Sequence, residues 1–319
     1  MLDATLKQLR IVSAIARTGK IQKAAELLNV TPPAITLQLK QLEDALGLPI
    51  FERTRNGMKQ TQAGQLLLES ANRIEAELAT CEDALGALRG LSSGTVNLGV
   101  VSTGKYFAPA ALGAFKRKHP DLDIKLFVGN REDTIRGLAL LEFDMAIMGR
   151  PPESLHVKSA IIGDHPHVII AWPDHPLAKA SGIATAELAS EPFLMRELGS
   201  GTRNLTERYF AQAGIRPRIA MEISSNETIK QAVMGGLGIA LISVHTIGAE
   251  LESGRLIMLD VTGLPAWRQW RIARHIEKRL TPAAAALWSF LEREGERFLP
   301  APYLVKSERP AATNGWAEE

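Results

Sequence analysis

From Gln62 to Arg89 the sequence keeps a helical pattern without a break. Leu67, Ala71, Ile74, Leu78, Cys81, Leu85 and Leu88 recur at alternating steps of four and three, the a/d seam of a coiled coil. At 1.5 Å per residue the stretch makes a rod of roughly 40 Å. Such a rod constrains everything around it: a small head must precede it and a large body must follow. A helix lying on its own body would show the same stripe. Here the head is short and a glycine-serine link, Gly90 to Gly94, follows at once, so the seam reads as a dimerisation face. The expected layout is a head over 1–61, a linker helix over 62–90, a body over 91–299 and a flexible tail over 300–319.

Cys81 is the single cysteine of the chain. That excludes an internal disulfide framework and fits a reducing compartment. On the seam it reads as a small packing residue rather than a sensor thiol. No apolar signal core opens the chain, and no apolar run reaches the roughly 20 residues needed to span a bilayer. The expectation is a cytoplasmic protein with no membrane contact.

Net charge is only +2, but it is unevenly placed. Residues 1–65 hold nine basic and five acidic side chains, so the head is +4 and the remainder −2. A basic head on a near-neutral body suits a polyanion-binding module. Its pattern predicts helices over Leu6–Arg17 and Ile21–Leu28, a tight turn at Asn29–Thr31, and a third helix ending at Gly47. Because Pro33 disfavours the α region for its predecessor, Pro32 is read as extended and Pro33 as the first helical residue, with the Thr31 hydroxyl as a cap. At 100° per residue, Ile35, Leu39, Leu42 and Leu46 share a buried face. Leu37 lies opposite, flanked by Ala34, Thr36, Lys40 and Gln41. Two short helices joined by a tight turn, the second with a small-residue outer face, describe a helix-turn-helix whose second helix enters the major groove. A plain α-hairpin in another helical domain fits the spacing too. The continuation favours the first reading, because a basic hairpin with Arg53, Arg55 and Lys59 follows as a wing.

The run "AAELLNVTPPAITLQLKQLEDALGLPIFERT", followed by "TQAG", resembles the winged helix-turn-helix of the LysR-type transcriptional regulators. By position, Pro33, Thr36 and Gln38 fall on the family's motif and Arg53 on its wing arginine. Pro32 stands where many members have glutamine, and Leu37 where many have arginine or lysine. These departures imply a different base preference. The candidate DNA contacts are therefore Thr31, Pro32, Pro33, Thr36, Leu37, Gln38, Lys40, Arg53 and Arg55.

After the linker, short apolar strands alternate with helices, which implies an α/β body with largely parallel strands. The chain is expected to cross to a second lobe near Asp164 and return near Pro265. Lobe 1 then covers about 91–163 and 266–299, and lobe 2 about 164–265. The fold class is an all-α winged helix-turn-helix head and a coiled-coil linker helix, then a two-lobed α/β body. The resemblance supplies the topology of that body, which is similar to periplasmic solute-binding proteins. In such lobes ligands sit beyond the carboxyl ends of strands, where helix N-termini point inward. The strand-to-helix junctions carry Ser102, Thr103 and Lys105; Ser200, Gly201, Thr202 and Arg203; and Ser224, Ser225 and Asn226. Asn130, Arg131 and Arg150 add to the first lobe. Hydroxyls, free backbone N–H groups and arginine suit an anion such as a phosphate or carboxylate. Ordinary helix caps and surface turns use the same residue types.

"GVVSTGKYFAPAALGAFKRKHPDLDIKLFVGNREDTI" and "FDMAIMGRPP" resemble the Calvin-cycle, or RubisCO operon, branch of the LysR family. That resemblance implies control of carbon-fixation genes by anionic metabolites such as ribulose bisphosphate, phosphoenolpyruvate or NADPH. It implies a small-molecule effector and no cofactor. It also implies a dimer on an inverted repeat of promoter DNA, paired into a dimer of dimers, that bends the DNA and admits RNA polymerase. Two other readings remain open: a LysR-type regulator of another metabolic operon, and an enzyme acting on a phosphorylated small molecule. No GxSxG, Walker A loop or HExxH supports the enzyme. His165, His167 and His175 match no compact zinc spacing and are read as surface histidines.

Overall fold

The computed structural model describes residues 4–88 and 94–300. The expected hinge over 91–93 and the tail beyond Pro300 lie outside the described residues, as does the side chain of Leu88. The described chain forms two compact units, one ending with the linker helix and the other holding nearly all of the body.

In the first unit, α1 (Leu6–Thr18) starts at a capping box. The Thr5 hydroxyl accepts from the Gln8 amide at 3.2 Å, and the Gln8 side chain accepts from the Thr5 amide at 2.9 Å. It ends at Gly19 in the left-handed region, φ 68°. After α2 (Ile21–Leu27), α3 runs from Pro32 to Leu46. Here the expected register is off by one: Pro32, not Pro33, is the first helical residue, and the Thr31 hydroxyl makes no capping bond. Thr31 itself precedes a proline and is extended. The first four helical N–H groups have no intrahelical partner, so two successive prolines fit the opening turn. Ile35, Leu39 and Leu42 are buried, and Leu37 is 55% exposed.

β1 (Phe51–Thr54) and β2 (Gly57–Gln60) pair antiparallel, Phe51 opposite Gln60 and Thr54 opposite Gly57. The head is thus helical with a β hairpin rather than all-α. Glu43 of α3 aims this hairpin, its carboxylate accepting from the Ile50 amide at 2.7 Å and the Phe51 amide at 3.3 Å. The "TQAG" run then turns the chain into α4 (Gln62–Leu88). The Thr61 hydroxyl donates to the Pro49 carbonyl at 2.7 Å and accepts from the Gly64 amide at 3.0 Å. A Cβ on Gly64 would lie 2.2 Å from the Ile50 carbonyl oxygen.

α4 buries only the first part of its apolar stripe within the head. Leu67 and Ala71 pack into the head's own core with Val12, Ile15 and Ile35. Beyond them, Leu78 is half-buried, while Ile74 and Leu85 are exposed at 40% and 51%. Cys81, expected to be packed on the seam, is exposed in the single chain.

The second unit is built from β3 (Thr95–Val101), α5 (Ala108–Lys118), β4 (Asp123–Gly129), α6 (Arg131–Ala139), β5 (Met145–Met148) and β6 (Val157–Ala171). There follow β7 (Pro192–Arg196), α7 (Gly201–Gln212), β8 (Arg218–Ile223), α8 (Asn226–Met234) and β9 (Ala240–Ser243). It ends with α9 (Gly248–Glu252), β10 (Ile257–Met258), β11 (Ala266–His275) and α10 (Pro282–Glu294). The expected helix from His245 to Leu251 is instead a 3-10 turn, Val244–Thr246, and the short α9.

The strands are mixed rather than largely parallel. β3 pairs parallel with β4 and β5, and β7 with β8. β11 pairs antiparallel with β5 and β6, as β6 does with β9 and β10. The reason is the two crossings. β6 carries the chain out of the first lobe and β11 brings it back, so the two long strands pair in opposite directions, Ala266 opposite His167 and His275 opposite Val157. Ile162 of β6 sits in the first lobe's core with Phe107, Phe115 and Leu287. Ile169, further along the same strand, sits in the second lobe's core with Phe193 and Phe210.

Candidate functional site

On the head, Thr31, Pro32, Pro33, Thr36, Leu37 and Lys40 are exposed together along α3. Gln38 is half-buried and donates to the Gln41 side chain at 3.0 Å, so it stands to the side of that face. Arg53 and Arg55 are exposed on the hairpin and line an open hollow with Lys20. Lys20 was not among the expected contacts; its place at the α1–α2 turn brings it beside the wing only in three dimensions. The wing is fixed there by close backbone approach. The Met58 amide donates to the Gly19 carbonyl at 2.8 Å, and a Cβ on Gly57 would lie 2.4 Å from that same oxygen.

In the body, the carboxyl ends of β3 and β5 and the starts of α6 and α7 meet around a partly open cavity of about 30 Å³. Of the expected effector residues, Ser102, Thr103, Asn130, Ser200, Gly201 and Thr202 line it. Four do not. The Lys105 ammonium lies over the Tyr106 ring at 5.2 Å. Arg150 faces Glu153 at 3.5 Å. Arg203 is paired with Glu207 and Glu222, because one residue beyond Thr202 the helix has turned its side chain away from the cavity. Asn226 is buried and accepts from the Arg196 guanidinium, while its own amide nitrogen has no partner.

The charge in the cavity comes from Arg131, one of the expected residues of the first lobe, and from Arg268, which was not among them. Arg131, at the start of α6, donates to the Arg150 carbonyl at 3.0 Å. Arg268, on β11, reaches only the Gly201 carbonyl, at 3.5 Å. Among the described residues neither faces a carboxylate within ion-pair distance. Burial pushes the Arg268 guanidinium down to about 10, and Arg208 and Arg131 push it the same way. Burial, then Arg208, also lowers Arg131. Arg196, by contrast, is neutralised by a two-pronged bond to Glu197 at 2.7 and 2.9 Å and also reaches the Ser102 hydroxyl at 3.3 Å. At the start of α7, Ser200 makes no side-chain cap, which leaves the first helical N–H groups facing the arginines' end of the cavity without helical partners.

His165 and His167 of β6 also line the cavity. They and His175 are buried rather than surface histidines. His175 lies against Glu191 at 3.4 Å. Strand alternation carried a usable signal for Arg268: Ala266, Arg268 and Trp270 share one face of β11, and the outer two are fully buried.

The sequence matches the family described as the LysR substrate binding domain over residues 89–296. Residues 6–65 match the bacterial regulatory helix-turn-helix proteins of the lysR family. The chain belongs to the LysR family of transcriptional regulators. Among its relatives is the HTH-type transcriptional regulator CbbR of Xanthobacter flavus, 53% identical over 93% of this chain and 90% of that protein. The RuBisCO operon transcriptional regulator of Allochromatium vinosum is 41% identical over 93% and 98%. A solved structure, the CcmR regulatory domain of Synechocystis PCC6803 in complex with 2-PG, is 37% identical. It covers 62% of this regulator and 95% of that chain, with a TM-score of 0.60. No helix among the described residues of the regulator is long and apolar enough to cross a membrane.

Proposed function

We propose that this regulator controls carbon-fixation genes in response to a phosphorylated or carboxylated small anion held between its two lobes. One observation carries the anion: Arg131 and Arg268 bring two guanidinium charges, with no carboxylate in ion-pair reach among the described residues, to a cavity that also receives the N-terminus of α7. Uncompensated buried charge is costly, and an anion that pairs with both relieves that cost. Ser102, Thr103, Asn130 and Thr202 would orient it by hydrogen bonds. The relatives' names support the gene class, and 2-PG on the CcmR domain supports the ligand class.

The regulator acts in the cytoplasm through promoter DNA. The head ends near Thr61, the linker helix spans 62–90 and the body 91–299. Two chains pair along α4 and present two α3 helices to an inverted repeat, with Arg53, Arg55 and Lys20 on phosphates. Dimers pair again, bend the site and contact RNA polymerase. The anion alters this assembly by binding one lobe arrangement better than another.

Footprinting on the DNA upstream of a carbon-fixation operon tests the reading. A footprint that contracts or shifts when 2-PG is added, and not with an uncharged analogue, is the expected result. A footprint indifferent to every phosphorylated and carboxylated metabolite removes the effector assignment, and absence of any footprint removes the target genes.

A further inference from the structure

The regulator carries two buried imidazoles in its cavity that the anion-binding reading does not yet use. The first, His165, is 4% exposed. Its ring lies flat on Trp270, centroids 3.8 Å apart. Its Nε2 meets the Ser243 hydroxyl at 3.0 Å, but its Nδ1 is buried with no partner. The second, His167, is 1% exposed. Its Nδ1 lies 3.1 Å from the His165 carbonyl. A ring nitrogen facing a carbonyl must carry the proton, so the neutral His167 keeps its lone pair on Nε2.

Each ring is therefore half-used. A buried polar atom without a partner, as His165 Nδ1 is, costs about 1–3 kcal/mol, and beside a cavity a ligand is one way to complete it. Resting on the anion-site reading above, we infer that His165 and His167 are additional contacts for the effector anion and take up protons when it binds. With its second proton, His165 donates from Nε2 to Ser243 and from Nδ1 to the anion. His167 donates from Nδ1 to the His165 carbonyl and from Nε2 to the anion. Every ring nitrogen is then satisfied. No covalent bond forms or breaks, and the protons come from solvent.

The surroundings set the direction. His165 and His167 face each other on β6, His245 from the 3-10 turn after β9, and Arg268 from β11. Arg131 of α6 and Arg196 of β7 close the same cavity. Among the described residues no carboxylate shifts either ring, and Glu197 is turned to Arg196. Burial first, then these like charges, hold both rings well below the usual histidine range, so both are neutral at pH 7 without a ligand. A bound dianion raises them. The bound state then holds more protons, and affinity rises as pH falls through the liganded values, until the free rings charge as well. The limit is about tenfold in affinity per pH unit for each proton taken up.

Sulfate is the probe of choice, because it stays dianionic between pH 5.5 and 8 and brings no titration of its own (about pH 2 is its last ionisation, by the same acid–base logic). Calorimetry of the full-length regulator with sulfate and with 2-PG, in buffers of different ionisation enthalpy, counts the protons. The expected result is uptake of between roughly half and two protons and affinity several-fold tighter at pH 6 than at pH 7.5. His165→Asn and His167→Gln should still bind sulfate with a flatter pH profile. Imidazole NMR of the unaltered regulator, with and without sulfate, reads the same titration with no substitution. Binding with zero proton uptake and equal affinity at both pH values overturns the role of the histidines and leaves the anion site standing. No binding of either anion at any pH overturns both.

Discussion

A single residue, Arg268, shows how stability and response oppose each other in this regulator. Its guanidinium is desolvated, pushed down to about 10 and held by one long bond to the Gly201 carbonyl. Arg268→Met keeps the apolar stem and deletes the charge. We expect the ligand-free protein to melt a few degrees higher, since removal of about 1 kcal/mol of unfavourable burial shifts Tm by roughly 2–4 °C in a body of this size. We also expect anion affinity to fall about tenfold to a hundredfold, the range for losing a hydrogen bond to a charged group. Thermal melts with and without 2-PG measure both, and a lower ligand-free Tm would mean the arginine is structural. On the head, Arg53→Ala should weaken binding to all sequences and lower the salt slope by about one; titrations of DNA at several salt concentrations read it directly.

At this scale the sequence was legible where a residue type has a local reason to be where it is. Ser102, Thr103, Ser200 and Thr202 follow strands and open helical segments, so adjacency alone places them near a cavity. Leu37 could be put on an outer face by rotation about the helix, and its exposure agrees. The misses share a cause. Arg203 and Arg150 were chosen as neighbours of such residues, yet both find carboxylates on their own lobe. Arg268, His165 and His167 come from strand interiors and Arg196 from the end of β7, and only the crossing of β6 and β11 brings the first three to the same place. That pairing joins residues about a hundred positions apart, beyond the reach of local pattern.

Among the elements, α4 packs one end of its stripe on the head, and the proposed dimer would use the rest. Its first turn is locked to the head. Gly64→Ala would put a Cβ 2.2 Å from the Ile50 carbonyl oxygen, and overpacking of this kind costs about 1–3 kcal/mol. The head should lose stability by that amount and DNA affinity with it, which melts and gel-shift assays would register together. Further along, Leu78→Asp places a charge on the open part of the seam without touching the head core. We expect a folded monomer by sedimentation that binds a full inverted repeat no better than a half-site; an unchanged dimer would move the interface elsewhere. The helix pattern was visible from its spacing. Its division between head core and open seam was not, because burial by α1 and α3 depends on where those helices lie.

For the body as a whole, several bonds tie lobe to lobe beside the cavity, among them the Glu132 amide to the Gly199 carbonyl at 3.2 Å and two through side chains of the first lobe. The Tyr106 hydroxyl donates to the Glu227 carboxylate, and Arg196 reaches Ser102 at 3.3 Å. Glu227 is held in turn by Lys230 at 3.1 Å, and Lys230 by Glu250 at 3.0 Å. Tyr106→Phe removes the tie to Glu227 and keeps the ring. The open arrangement should gain population, lowering apparent anion affinity about three- to tenfold. Small-angle scattering of the ligand-free protein should show a larger radius for the variant, and equal radii with equal affinities would mean the bond does not hold the lobes.

The cavity of about 30 Å³ between those lobes has one more consequence. It lies far below the roughly 300 Å³ at which small-molecule sites begin, so on the anion-site reading we expect the lobes to separate before an anion is fully seated. Capture then runs at the pace of opening, and at high concentration the observed binding rate levels off instead of climbing. Release waits on the same motion. If opening is slow, we expect changes in metabolite level shorter than the shut time to be averaged, so that the lobes would work as a low-pass filter between metabolism and transcription; a stopped-flow binding rate that climbs linearly with 2-PG concentration would exclude it.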